Sequence, residues 1–128
     1  MQIHQSAEDY LETILMLNQR MGRVRSIDVV NELGYTKASV SIAMKKLREN
    51  GYIAVDGEGN LTLLEPGREI AERIYSRHRL LTHFFVQLGV DEEVAAEDAC
   101  KAEHILSEQT LGKIREYALL HDAQDSVK

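Results

Sequence analysis

Between Ser26 and Gly51 the chain carries two helix-forming stretches, each with its own start and stop signals and only a short break between them. Ser26 is placed to cap Ile27 to Leu33, and Gly34 ends that run. After Tyr35, Thr36 opens a second stretch from Lys37 to about Asn50, closed by Gly51. Val29, Val30, Leu33, Val40, Met44 and Leu47 recur at helical spacing, so the two helices must turn these faces toward each other across a tight turn. That packing leaves Lys37, Ser39, Ser41, Lys45, Lys46 and Arg48 outward.

A short helix, a glycine turn and a longer helix with a polar, basic outer side make a helix-turn-helix pattern, whose second helix suits the DNA major groove. Ser39 and Ser41 can bond base edges or phosphates, Ile42 can meet a thymine methyl, and the lysines can hold phosphates. The expected DNA-binding set is Arg25, Thr36, Lys37, Ser39, Ser41, Ile42, Lys45 and Lys46. The bland alternative is a solvated amphipathic helix. The next segment of chain favours DNA: Tyr52 to Val55 and Leu61 to Leu64 are short β-prone runs around Asp56-Gly57-Glu58-Gly59-Asn60, a hairpin in the position of a wing. With Asp56 and Glu58 at its tip, the wing is not expected to grip phosphate strongly.

Charge is divided along the chain. The overall net charge is -6, yet residues 20–52 hold seven basic side chains against three acidic, whereas residues 89–128 hold ten acidic against four basic. An anion-binding half followed by a cation-binding half fits that division.

Upstream, Ser6 is expected to cap a helix from Ala7 to Met21, with Ile14, Leu15, Leu17 and Met21 as its apolar stripe. Downstream of Pro66-Gly67 a long helix is expected from Arg68 to Leu88. A further helix should start at Asp91-Glu92-Glu93, and a last one, capped by Ser107, should reach about Leu120 before a frayed tail from Asp122 to Lys128. The fold class read from this is mainly α with a small β-hairpin: an N-terminal winged helix-turn-helix domain over residues 1–66 and a C-terminal helical metal-binding and dimerisation domain over residues 67–128. Apolar residues in the second half, among them Leu80, Leu81, Phe84, Phe85, Leu88, Ile105 and Leu119, are too many for three helices to bury among themselves. A homodimer is their natural outlet, and two-fold symmetry would set two recognition helices about one DNA turn apart, as on a palindromic operator. With a single cysteine, no apolar run long enough to span a membrane and a polar start, the chain is expected in the cytoplasm.

That cysteine belongs to Cys100-Lys101-Ala102-Glu103-His104. If the run is helical, positions i, i+3 and i+4 bring a thiol, a carboxylate and an imidazole to one face, a metal-ligand set. Read alone, Cys100 fits an apolar core position equally, Asp9 fits a first-turn cap, Glu12 a solvated helix surface and His78 an ordinary histidine.

Several separated motifs together resemble one family. Glu8-Asp9-Tyr10-Leu11-Glu12-Thr13-Ile14, Ser39-Val40-Ser41, Leu61-Thr62 with Gly67 after it, Arg77-His78-Arg79-Leu80-Leu81, and Asp98 to His104 are similar to the diphtheria toxin repressor family, whose manganese branch is the manganese transport regulators. The resemblance covers Ala7 to about Tyr117. It implies a metal-activated, DNA-binding transcriptional repressor controlling metal-homeostasis genes, dimeric through its helical half, and not an enzyme. By position it implies metal ligands at Asp9, Glu12, His78, Glu103 and His104, as in the manganese branch, with Cys100 standing where that branch has glutamate and the iron branch cysteine. Thr82 and Ala96 depart from the iron branch's second site, and the short form without an SH3-like domain is expected. The implied cofactor is a divalent transition metal, Mn(II) or Fe(II), and a thiolate would draw Zn(II) or Co(II) in vitro. Cys100 can enter through sulfur or through its backbone carbonyl. A metal-independent winged-helix regulator answering to a small molecule is the alternative.

Overall fold

The computed structural model describes residues 5–127. In chain order these form helices α1 (Gln5–Met21), α2 (Ser26–Leu33) and α3 (Lys37–Glu49), strands β1 (Ile53–Val55) and β2 (Leu61–Leu63), and helices α4 (Glu65–Gln87), α5 (Glu92–Ala102) and α6 (Glu108–Val127). The mainly α class with one small hairpin is therefore as expected. Two compact units divide the chain, one up to Arg73 and one from Ile74 onward, with α4 contributing to both. Among the described residues no helix is long and apolar enough to cross a membrane.

In the first unit α1 packs on α2, α3 and β2, and α3 packs on β1. Leu11, Ile14, Leu17, Val24, Val29, Val40, Ile53 and Leu61 are buried at its centre. Thr36 caps α3 as expected, its hydroxyl accepting from the Ser39 amide at 3.1 Å. Gly34 ends α2 in the left-handed conformation, at φ 71°, which costs glycine nothing sterically. The strands pair antiparallel with Ile53 opposite Leu63 and Val55 opposite Leu61.

Four local expectations need correction. Ser6 lies inside α1 instead of capping it; a serine costs a helix only roughly 0.5 kcal/mol, too little to stop one already formed. Met21 is 49% exposed because the last residue of α1 overhangs the core, while Tyr10 and Leu11 join the buried stripe at the other end. Ser26 is the first residue of α2, not its cap: Asp28 reaches back to accept from the Arg25 amide at 2.8 Å, so Arg25 takes the cap position. Helix α4 begins at Glu65, ahead of Pro66-Gly67, since a proline in the first turn forgoes only an amide that has no partner within the helix. Gly67 then lies against the backbone of Tyr52, whose carbonyl oxygen overlaps the place where a β-carbon would stand.

In the second unit Leu81 of α4, Ala99 of α5 and Leu111 of α6 form the buried centre, with Leu80, Phe85, Leu106 and Ile114 packed around it. Phe84 and Tyr117 meet edge to face at 5.9 Å. Ser107 caps α6, its hydroxyl accepting from the Thr110 amide at 3.2 Å. The chain does not fray at Asp122; α6 runs on to Val127. Asp122 is held to α4 by His83 Nε2 at 2.9 Å and by Gln87 Nε2 at 2.8 Å, which anchors the helix past Leu120.

Candidate metal centre and nucleic-acid interface

The stretch Cys100 to His104 is not one helix. Helix α5 stops at Ala102; beyond it Ile105 and Leu106 donate to the Ala102 carbonyl at 3.1 and 3.3 Å, a tightened turn that lets Ser107 open α6. No glycine or proline marks this end. The three side chains differ in cover: Cys100 is exposed, whereas Glu103 is 0% exposed and His104 is largely covered.

Glu103 sits between two imidazoles. Its Oε2 is hydrogen-bonded to His78 Nδ1 of α4 at 2.9 Å, and its Oε1 is 3.4 Å from His104 Nε2 and makes no hydrogen bond among the described residues. A carboxylate removed from water normally fills its acceptor sites, so an oxygen left without a hydrogen bond beside an imidazole nitrogen marks a place where a cation would be favourable. Oxygen and nitrogen donors of this kind suit Mn(II), Fe(II) and Zn(II). The residues of this unit therefore fit a divalent metal. Arg77, next to His78, donates to the Glu103 backbone carbonyl at 3.2 Å and pairs with the Glu108 carboxylate.

Asp9 and Glu12 belong to the first unit, three residues apart on α1. Glu12 is 6% exposed, unlike the solvated helix surface that its position alone would allow, and Asp9 is half-buried. Burial above all, and then the neighbouring Tyr35 and Asp9, holds the Tyr10 phenol above its ordinary pKa, so it stays neutral beside Asp9. Glu8, adjacent to this pair, bonds Arg73 of α4 at 3.4 Å.

The outer side of α3 carries the expected residues. Thr36, Lys37, Ser39, Ser41, Lys45 and Lys46 are all exposed, and Ile42 is 57% exposed, a large apolar side chain with no place in the core. Ser41, Lys45 and Arg48 line a cleft of about 250 Å³ together with Ser26 of α2 and Val55 of β1. Ser26 and Arg48 are additions to the expected set. A serine in the first turn of a helix, in a cleft it shares with cationic side chains, can bond a phosphate. Arg25, also exposed, donates from its guanidinium to the Glu58 carbonyl and lies 3.4 Å from the position of a β-carbon on Gly59, at the wing. Within the wing loop the Asn60 amide, then the Asn60 side chain and further loop amides, hold the Asp56 carboxyl below its ordinary range.

A family model described as iron dependent repressor, N-terminal DNA binding domain, matches residues 2–61, and one described as iron dependent repressor, metal binding and dimerisation domain, matches residues 64–120. An uncharacterized HTH-type transcriptional regulator of Methanocaldococcus jannaschii is 35% identical over 113 residues, 87% of this chain and 90% of that protein. The HTH-type transcriptional regulator MntR of Bacillus subtilis is 32% identical over 123 residues, 96% of this chain and 87% of that protein. A solved manganese-dependent transcriptional repressor in complex with manganese matches with a TM-score of 0.80 at 28% identity, over 88% of this chain. This chain spans 52% of the length of that structure. By sequence over nearly its whole length, the chain belongs to the iron-dependent repressor family.

Proposed function

We propose that the chain is a metal-activated, DNA-binding transcriptional repressor that senses Mn(II) or Fe(II). The observation that carries this reading is Glu103: a fully buried carboxylate held between two imidazoles, with one oxygen making no hydrogen bond among the described residues. His78, Glu103 and His104 would hold the ion, joined by Asp9 and Glu12. The support for pooling the α1 carboxylates with the others is their sequence correspondence to the manganese branch. A bound divalent cation supplies the positive charge that such a set of carboxylates lacks. Cys100 completes the proposed set as the variable member, and its exposure leaves both sulfur and backbone carbonyl as routes.

The recognition surface would be α3, with Ser39, Ser41 and Ile42 toward base edges and Lys37, Lys45, Lys46, Arg48 and Ser26 on phosphates. Leu88, Ile105, Leu119 and Leu120, each more than half exposed, favour a homodimer in the second unit, and a dimer favours a palindromic operator. Such a regulator would work in the cytoplasm, without catalytic turnover. Carboxylates of α1 that repel one another without an ion would leave the DNA-competent geometry less populated, and the ion shifts that population.

An anaerobic selection from a randomised duplex pool tests this, run without metal and with Mn(II), Fe(II) or Zn(II). Metal should enrich a two-fold symmetric sequence and tighten its binding about 5- to 150-fold. Equal enrichment in the absence of metal overturns the proposal.

A further inference from the structure

We infer that Arg77 is the positioning residue of the metal centre: it touches no ion itself but fixes the turn that delivers Glu103. The inference rests on the reading of Glu103 as a metal ligand. Consecutive residues of α4 grip the same glutamate by two handles, Arg77 Nη1 holding its backbone carbonyl at 3.2 Å and His78 Nδ1 holding its side chain at 2.9 Å. Glu103 is the residue just past the end of α5, where carbonyls lose their helical partners and need others. Arg77 fills that need with a charged donor. Its second arm pairs with the Glu108 carboxylate in the first turn of α6, so one guanidinium spans the whole connection from α5 to α6.

The side chain is built in. Arg77 is only 14% exposed, whereas its partner Glu108 is 78% exposed, so the arginine is fixed by the fold and the glutamate closes over it from outside. Arg79, two residues on, is exposed and lies over the Tyr75 ring at 5.9 Å. A guanidinium is suited to this task because its fork presents two donors in a fixed plane; an ammonium offers one point charge. Without the fork, the turn 103–106 would keep the Glu103 side chain bonded to His78 but lose the fixed backbone from which both carboxylate oxygens are aimed. Partners that orient a metal ligand typically change affinity about 10- to 100-fold when removed.

The test is Mn(II) binding to the full-length chain, read from the electron paramagnetic resonance signal of the free ion, together with calorimetric melting of the metal-free protein. Arg77→Ala should weaken Mn(II) binding about 10- to 100-fold with the number of ions bound at saturation unchanged, the melt serving to show that the variant is folded. Arg77→Lys, which keeps the charge but not the fork, should fall between. Glu108→Gln should lose less than Arg77→Ala, since the bond to the Glu103 carbonyl remains. An affinity within about twofold of wild type for a folded Arg77→Ala, or for Arg77→Lys should the alanine variant not fold, overturns the inference. Wild-type binding that Glu103→Ala abolishes and Arg77→Ala leaves alone sinks this inference and spares the metal site; a wild-type chain that binds no Mn(II), Fe(II) or Zn(II) sinks both.

Discussion

Replacing Glu103 by glutamine separates what a buried site costs the fold from what it does for binding. The amide is isosteric with the carboxylate and can keep the 2.9 Å contact to His78 Nδ1. Exchanging a charged hydrogen bond of about 1.5–3 kcal/mol for a neutral one of about 0.5–1.5 loses roughly 1 kcal/mol. Against that stands the dehydration of a carboxylate at 0% exposure, with one oxygen making no hydrogen bond among the described residues. Such a penalty remains several kcal/mol per ion after relaxation. The metal-free variant should therefore be more stable than wild type by about 1–3 kcal/mol, or roughly 3–15 °C in Tm for a chain of this size. Metal reverses the order. Mn(II) at about 100 times its Kd adds about 2.7 kcal/mol to wild type and little to a variant that has lost a charged ligand. Differential scanning calorimetry with and without Mn(II) reads both effects. A metal-free variant that melts below wild type, or an Mn(II) shift equal in the two proteins, would refute the assignment of Glu103 as a buried ligand.

Two glycines should respond oppositely to alanine. At Gly67 the new methyl would overlap the Tyr52 carbonyl oxygen, so overpacking of about 1–3 kcal/mol should outweigh the roughly 0.5–1 kcal/mol that alanine brings to a helix. At Gly112, inside α6 with nothing within 4 Å of the added carbon, only that gain remains. Urea melts showing Gly67→Ala as stable as Gly112→Ala would refute the close approach of α4 to Tyr52. For the wing, Asp56 has its native pKa depressed below 3.8 by the Asn60 amide first, so its contribution is present above that value and lost as pH falls through the native pKa. The amide resonances of Glu58 and Asn60, both donors to Asp56, should thus hold steady down to about pH 4 and move only below it; a transition at about pH 5 would show that the loop does not hold the carboxylate as described.

The parts of this fold that could be read from sequence are those written in local rules. Gly34 ends α2, and Thr36 and Gly51 bound α3 to within a residue or two, because a cap or a left-handed turn depends on side chains three or four positions away. The end of α5 was not readable on those terms. It is imposed by Ser107, which opens α6, and by Leu106, which must reach the core. Projecting a helix through Cys100, Glu103 and His104 therefore carried it past its end at Ala102; the fully buried residue at that level is Ala99, one helical turn before Glu103.

Arg77 shows the complementary case, in which a signal existed but lay under a louder one. Its contacts join positions 26 and 31 residues apart, beyond any local rule. In the run Arg77-His78-Arg79 the two arginines look equivalent as charge. Helical phase distinguishes them: Ile74 and Leu81, both 0% exposed, define the inward stripe of α4, and Arg77 and His78 fall at i+3 and i+4 from Ile74 while Arg79 turns away. A cation on a core stripe needs acceptors that the fold must supply, and a histidine beside it on the same stripe indicates which acceptors matter. Two adjacent polar residues on an otherwise apolar face are therefore the sequence trace of acceptors that the fold must supply, here the carbonyl and the carboxylate of Glu103.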